Sequence, residues 1–471
     1  MNRIRKQEVA RSALRRVAAT LGGILIALAA ASCGLGGGEG DPERDPSPPP
    51  SVSQAPNVLM IVSDDQPIGT VERMPALSTA EGFASFGSYY DNNPLCCPTR
   101  ATLLTGLHSH HHGIETNLDA PEFDPSSTLA TWLDDAGYET GLFGKYMNLY
   151  PWERGERYVP PGWDEWVAFT PDAAYYDYTL LTGDAAEHYG DAPRDYSTDV
   201  LAKRVDDFIR DSEAPFFAYF VPYGPHAPRT PAPRHEDAFA SDPVELPENF
   251  NAIARGAPRW WARRPPVDAA EAREATRDQW RSLLAVDDAV ARLLATLEET
   301  GEAENTIVIY VSDNGYSLGS HRNRWKDCAY EECIHLPLLI RWPGHTAGGE
   351  IGALTGSVDI APTIAELAGV EPPAPVDGES LVPLLDGDGD GGTDAGGGPI
   401  LLRHVKYPRV APSFWGVRTE RWTYVIYERS GERELYDNRS DPAQLDNLAG
   451  LPAYAELEAE LERTIVELRE E

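Results

Sequence analysis

Two almost unbroken apolar runs punctuate the chain, Asn57–Val62 (NVLMIV) and Thr306–Val311 (TIVIYV). Short runs of this kind, rich in β-branched residues and closed by polar turns, read as strands buried on both faces, as in parallel sheets. Phe216–Val221 and Leu336–Ile340 are further strand candidates, and Val286, Val290, Leu293, Leu294 and Leu297 fall at helical spacing. Such a helix would cover the sheet, and strands alternating with helices predict an α/β fold with a large, mainly parallel central sheet. Later in the chain, Trp415–Arg418 and Trp422–Tyr427 read as antiparallel strands. Leu457, Leu461, Ile465 and Leu468 then mark one face of a closing helix over about 453–470. The expected organisation is a large α/β domain over residues 56–375 and a smaller C-terminal subdomain over 376–471. No internal repeat is visible.

The first 55 residues follow a different pattern. Arg3, Arg5, Lys6, Arg11, Arg15 and Arg16 precede an apolar run, Val17–Ala31. That run is short for a membrane span, which needs about 20 residues, and suits the core of a secretory signal over residues 1–32. It ends Ala30-Ala31-Ser32-Cys33, which resembles a bacterial lipobox, with Cys33 as a lipidated N-terminus and membrane anchor; an ordinary cleaved signal is the alternative. Residues 33–55, rich in Gly, Pro and charge, cannot bury apolar area and read as a tether. The expected location is the outer face of a bacterial membrane, or the medium.

The two long strands both end in oxygen-bearing side chains: Ser63-Asp64-Asp65 after the first, Ser312-Asp313-Asn314-Gly315 after the second. Ligands of open parallel sheets sit beyond the carboxyl ends of strands, and such a donor set suits a hard divalent cation. Taken singly, each pair could be a helix cap or a turn. Net charge changes the picture of partners: 75 Asp and Glu against 40 Lys and Arg leave −35, which argues against nucleic acid, whose binders need a basic surface.

Cys96-Cys97-Pro98-Thr99-Arg100, followed by Thr105-Gly106, resembles the signature of the type I sulfatases, C-x-P-x-R with a T-G a few residues on. The resemblance runs from Asp64-Asp65 to Glu434-Leu435-Tyr436-Asp437. Within that alkaline-phosphatase-like family the chain is similar to the N-acetylglucosamine-6-sulfatases, through its Cys-Cys-Pro start, Gly144-Lys145-Tyr146 and Pro225-His226-Ala227-Pro228. The resemblance implies that a formylglycine-generating enzyme oxidises Cys96 to an aldehyde. Cutting a sulfate ester requires a nucleophile, charge stabilisation and an acid for the leaving alcohol. A hydrated aldehyde offers two hydroxyls, one to attack sulfur and one to collapse back and expel sulfate, where a serine would be left with a stable ester.

The resemblance further implies calcium, in preference to magnesium, held by Asp64, Asp65, Asp313, Asn314 and the modified Cys96. Arg100 would hold the nucleophile and its neighbours, Lys145 and Lys326 would grip the sulfate, and His226 would be the general acid, imidazole titrating near neutrality. Where many family members have a histidine two residues after the first lysine, this chain has Met147, which leaves the base for the second hydroxyl unassigned. Cys328 and Cys333 could close a disulfide loop outside the cytosol.

Three further features have two readings. The aromatics Trp163, Trp166, Phe169, Tyr175, Tyr176 and Tyr178 could stack on sugar rings or pack the core. The His108, His110, His111, His112 run could suggest a transition-metal site and reads mainly as local structure, with His110 able to approach the pocket. Asp386, Asp388, Asp390 and Gly391 mimic the start of an EF-hand, yet Gly397 stands where its bidentate Glu should be. The expected function is release of inorganic sulfate from a sulfated sugar or related ester. The rivals are a phosphate or phosphonate ester hydrolase of the same fold, and a sulfoglycan-binding surface protein without turnover.

Overall fold

The structure, a computed structural model, describes residues 55–470 apart from 152–156, 172, 184, 347, 387–396 and 407–410. The expected signal, the Cys33 anchor, the tether up to residue 54 and most of the EF-hand-like segment lie outside the described residues. In chain order the strands are β1 (Asn57–Ser63), β2 (Phe83–Phe86), β3 (Tyr89–Tyr90), β4 (Glu139–Gly144), β5 (Glu165–Phe169), β6 (Tyr178–Thr182), β7 (Ala185–Tyr189) and β8 (Phe216–Val221). They continue with β9 (Thr306–Ser312), β10 (Leu338–Arg341), β11 (Gly349–Ile351), β12 (Thr355–Gly356), β13 (Ile400–His404), β14 (Phe414–Arg418), β15 (Trp422–Tyr427) and β16 (Arg433–Asp437).

Ten of them form one sheet in the order β11-β2-β10-β9-β1-β8-β4-β5-β6-β7. Its centre, β9-β1-β8-β4-β5, is parallel throughout. β10 joins antiparallel to β9, and β6 antiparallel to β5. Every residue of β1, β8 and β9 is buried, as continuous apolar sequence requires when both faces are covered. On one face lies the helix Ala269–Thr300, whose Val286, Val290, Leu293 and Leu297 are buried against β1, β8 and β9. Asp268 caps its start by accepting from the N–H groups of Ala270 and Glu271. On the other face the helices Cys96–Thr105 and Ile360–Leu367 pack against the same strands.

A separate four-stranded antiparallel sheet, β13-β14-β15-β16, follows. The closing helix, Ala455–Glu470, buries Leu461 and Ile465 against Leu401, Val417, Tyr424 and Leu435 of that sheet. The predicted fold class is thus the observed one. In the aromatic stretch Trp166, Phe169, Tyr175 and Tyr178 are buried in the core, and Trp163 and Tyr176 pack half-buried against it. Among the described residues no helix is long and apolar enough to cross a membrane.

Candidate active site

Register places the site. Ser63 of β1 pairs with Ser312 of β9 and Gly144 of β4 with Val221 of β8, so four neighbouring parallel strands release their chains at one edge. The residues that follow are Asp64-Asp65, Asp313-Asn314, Lys145 and, after a short turn, His226. Two features of that edge are specific to sequence. Gly144 has φ 128° and its backbone passes so close to the Val221 carbonyl that a Cβ would stand 1.9 Å from the oxygen; the Lys145 N–H donates to the same oxygen at 2.9 Å. Asp65 adopts φ 67°, a conformation seldom found outside glycine, Asn and Asp and characteristic of functional turns.

Cys96 opens a ten-residue helix that is buried along its whole length. One turn on, the buried Arg100 links the two acid turns: its Nε and Nη2 reach Asp313 Oδ2 at 2.9 and 2.8 Å, Nη2 lies 3.4 Å from Asp64 Oδ2, and Nη1 donates to the Lys145 carbonyl. Lys145 Nζ pairs with Asp64 and Lys326 Nζ with Asp65, and Lys326 Nζ also stands 2.7 Å from Cys96 Sγ. That sulfur is within 3.6 Å of Asp64 Oδ1. His226 Nε2 lies 3.6 Å from Asp65 Oδ2. The structure therefore gathers every predicted site residue into one cluster, buried except for the half-buried His226.

Charge balance sets the protonation of the cluster. Burial pushes the Asp64 carboxyl up, but Lys145, His226 and Arg100 together outweigh it and hold the group at about 2. Asp65 is also held below its ordinary range, Lys326 and His226 overcoming burial. Both lysines are raised, their carboxylate partners outweighing desolvation, so they stay ammonium ions. Burial pushes the Cys96 thiol up to about 12, leaving it a poor nucleophile as a thiol. Burial also drives His226 down. Its Nδ1 lies 2.7 Å from the Ala227 carbonyl oxygen; a carbonyl can only accept, so Nδ1 carries the hydrogen and Nε2 faces the cluster.

A divalent cation fits this donor set. Ligand atoms of Asp64, Asp65, Cys96 and His226 all lie within 4.8 Å of one another. Asn314 Nδ2 donates to Asp65 Oδ1 at 2.7 Å and to the Gly315 carbonyl at 2.9 Å, while its Oδ1 is buried with no partner. A buried amide oxygen without a donor matches a hard cation. His226 as a neighbour of that centre is a feature the sequence reading had not assigned.

Three supporting residues also escaped it. Asp91 accepts from Thr99 Oγ1 at 2.7 Å and Ser357 Oγ at 2.8 Å, bracing the start of the Cys96 helix. Glu434 accepts from Trp261, Tyr330, Tyr427 and Tyr436. Asn249 reaches Glu332 at 2.6 Å. Cys328 and Cys333 are disulfide-bonded, closing the loop that follows Lys326, whereas Cys97 is free and its sulfur accepts the Asn148 N–H at 3.1 Å. His108, His110 and His111 gather elsewhere: His111 Nδ1 is 2.8 Å from Asp377 and the His110 ring packs edge-on against Trp415. His110 therefore does not join the pocket. Beside the cluster opens a cavity of about 130 Å³ whose walls include Lys145, Met147, Phe169, Tyr223 and His226.

The sulfatase family model matches residues 56–370 and a model described as N-sulphoglucosamine sulphohydrolase, C-terminal, matches 319–471. Human N-acetylglucosamine-6-sulfatase is 35% identical over 362 residues, 71% of this chain and 65% of that protein. The Drosophila melanogaster extracellular sulfatase SULF-1 homolog is 33% identical over 70% of this chain and 31% of its own; the chain thus spans less than two thirds of the length of these relatives. The N-acetylglucosamine-6-O-sulfatase of Bacteroides thetaiotaomicron is 27% identical over 89% of this chain and 87% of its own. A solved structure of a protein in complex with its substrate D-glucosamine-2-N,6-O-disulfate superposes with TM-score 0.79 at 26% identity, covering 88% of this chain and 98% of that one. The phosphonate monoester hydrolase of Agrobacterium radiobacter shares the fold, with TM-score 0.72 at 21% identity over 88% of this chain and 95% of that one. With two thirds of its length matched by the family model and its acids, lysines and cysteine motif converging on one strand edge, this chain belongs to the sulfatase family.

Proposed function

We propose that the chain hydrolyses a sulfate ester on a sugar and releases inorganic sulfate, with Cys96 converted to formylglycine and a calcium ion held by Asp64, Asp65, Asp313 and Asn314. The observation that carries this reading is the juxtaposition of Cys96 with two ammonium groups and a carboxylate set at one buried point. Bound there, calcium would neutralise the carboxylates and polarise the sulfuryl oxygens. The modified residue would supply a hydrated aldehyde whose two hydroxyls serve attack and release.

The remaining work falls to side chains of the chain itself. Lys145 and Lys326, permanently charged and preorganised by Asp64 and Asp65, stabilise the oxygens on which negative charge accumulates. Arg100 fixes both acid turns and the helix that carries position 96. His226 keeps its Nδ1 hydrogen on the Ala227 carbonyl, leaving Nε2 to handle the proton of the leaving oxygen. An anionic ester beside Nε2 favours the imidazolium form, which is the one able to protonate that oxygen. Met147 offers no base, and the one imidazole of the described acid cluster is His226. The sugar specificity rests on the N-acetylglucosamine-6-sulfatases among the relatives. We further propose export by residues 1–32 and anchoring at Cys33, read from the basic–apolar–Ala-Ala-Ser-Cys pattern.

Mass analysis of the peptide bearing Cys96 tests the nucleophile directly. The expected result is a mass in which an aldehyde oxygen replaces the thiol, together with sulfate release from glucosamine 6-sulfate that Cys96→Ala abolishes. A phosphate monoester hydrolysed faster than the matched sulfate would favour the phosphohydrolase reading instead.

A further inference from the structure

Beside the catalytic cluster lies a buried guanidinium that the mechanism above does not use. Arg229 follows His226 by three residues, and its backbone N–H donates to the His226 carbonyl at 3.0 Å. It adopts φ 65°, and it is only 8% exposed. Its Nε and Nη2 nevertheless meet no acceptor at hydrogen-bond distance, and among the described residues its charge faces the neutral Tyr316 hydroxyl and no carboxylate. The other cations of the cluster and of the cavity wall are matched by carboxylates: Arg100 by Asp64 and Asp313, Lys145 by Asp64, Lys326 by Asp65, Arg324 by Glu271. Burying an unpaired charge is costly, and an arginine fork is shaped to receive a carboxylate or a sulfate through two parallel hydrogen bonds.

The surroundings fit a sugar ligand. Arg229 borders a cavity of about 240 Å³ whose walls also include Tyr316, Leu318, Arg324 and Trp325. The guanidinium carbon lies 4.7 Å from the Tyr316 ring centroid. Trp325 is 57% exposed, an unusual state for so large an apolar ring and a ready stacking face. Trp325 immediately precedes Lys326, so the cavity flanks the cluster from the His226 turn to the Lys326 loop. With a net charge of −35, the protein as a whole repels polyanions, and only an unmatched cation at short range can favour one.

We propose that this cavity is a second anion subsite, in which Arg229 receives a carboxylate or sulfate carried by the sugar beside the ester being cut. The inference rests on the sulfatase reading and narrows it from sulfated sugars to those bearing a second negative group. Arg229 is on this account a specificity-determining residue.

The test compares Cys96→Ala with Cys96→Ala/Arg229→Gln, both with excess calcium, by titration calorimetry. The probes are glucosamine 6-sulfate, glucosamine N,6-disulfate and a uronic acid–glucosamine 6-sulfate disaccharide. Loss of a charged hydrogen-bond pair should weaken binding about 10- to 100-fold for the disulfate if the second group is the N-sulfate, or for the disaccharide if it is the uronate. The monosulfate should lose least, and Arg229→Lys should restore part of the difference. Because the native charge is unpaired, Arg229→Gln should keep or raise Tm. Equal weakening on all three probes, no weakening, or a fall in Tm without selective loss of affinity overturns the subsite. Sulfate release by the wild type is read separately: selective binding through Arg229 without release would sink the sulfatase reading and leave the subsite standing.

Discussion

Ser63 and Ser312 face each other at the ends of two parallel strands, so the acids that follow them leave the sheet side by side. The Asp313 N–H donates back to the Ser63 carbonyl at 3.0 Å and the Asp65 N–H to Asp313 Oδ1 at 3.1 Å. Register has thus converted two sequence motifs 248 residues apart into one polyoxygen site. A ligand of the native state stabilises it by mass action, by about 2.7 kcal/mol at a hundredfold excess over Kd. Calcium added to chelator-stripped protein should therefore raise Tm and restore sulfate release. Asp313→Asn should remove both responses. A Tm indifferent to calcium would rule out the proposed cation site.

Lys145 depends on a glycine. At Gly144 a methyl group would collide with the Val221 carbonyl, and φ 128° disfavours any side chain. Gly144→Ala should cost more than about 1 kcal/mol of stability and displace Lys145 as the strand moves. Lys145→Ala removes one preorganised donor and should lower kcat about 10²- to 10³-fold with the fold retained. Steady-state kinetics and thermal denaturation together separate the two effects. Wild-type kcat in Lys145→Ala would refute the role given to the ammonium group.

If His226 protonates the leaving oxygen, its importance must scale with how badly that oxygen needs a proton. An aryl sulfate expels a stable phenolate, whereas a sugar sulfate expels an alkoxide. His226→Ala should then slow glucosamine 6-sulfate hydrolysis by about 10²- to 10⁴-fold and 4-nitrophenyl sulfate far less. A uniform loss on both substrates would instead make His226 a structural or metal-adjacent group.

What could be read from sequence followed physical rules of unequal strength. β1 and β9 were legible because both faces are buried and the runs are almost wholly apolar, and β15 because its aromatic and β-branched residues sit between turns. β4 (ETGLFG) was not: two glycines and a polar start dilute a strand whose burial comes from its neighbours β8 and β5. The site acids, lysines and His226 were legible through motif position. Asp91 and Glu434 were not, since their roles exist only in contacts with Ser357, 266 positions away, and Trp261, 173 away. Nothing in Pro228-Arg229-Thr230 announces a buried, unpaired guanidinium either.

The disulfide closes the loop after Lys326, with a sequence separation of 5. The same loop hydrogen-bonds Glu434 through Tyr330 and fixes Gly315, whose N–H donates to the Cys333 carbonyl at 3.0 Å. A chain cross-link over so short a loop stabilises by about 2 kcal/mol. Cys328→Ser/Cys333→Ser should therefore lower Tm and weaken sulfate ester binding through a less constrained Lys326, seen as a higher KM. Unchanged KM and Tm would show that the loop holds its shape without the bond.

Glu331 connects that loop to the C-terminal sheet, and its ionisation should make the connection sensitive to acid. Its carboxylate receives Arg418 Nε at 2.9 Å and the Tyr90 hydroxyl at 3.0 Å, with His335 Nδ1 at 3.3 Å. Burial pushes the group up, but His335 and Arg418 prevail and hold it at about 2, against 4.5 when free. A carboxyl depressed in the folded state favours folding above its free value, and that contribution fades as pH falls from 4.5 towards 2. Glu331→Gln leaves Arg418, buried at 7% side-chain exposure, without its counter-ion, and should cost about 2 kcal/mol at neutral pH. Because the variant has no carboxylate to protonate, its Tm should then fall less steeply than the wild type's between pH 4.5 and 2. Parallel Tm curves across that window would mean that the pair contributes nothing through its charge, and that Arg418 is held by the Tyr90 hydroxyl, 2.6 Å from its Nη2.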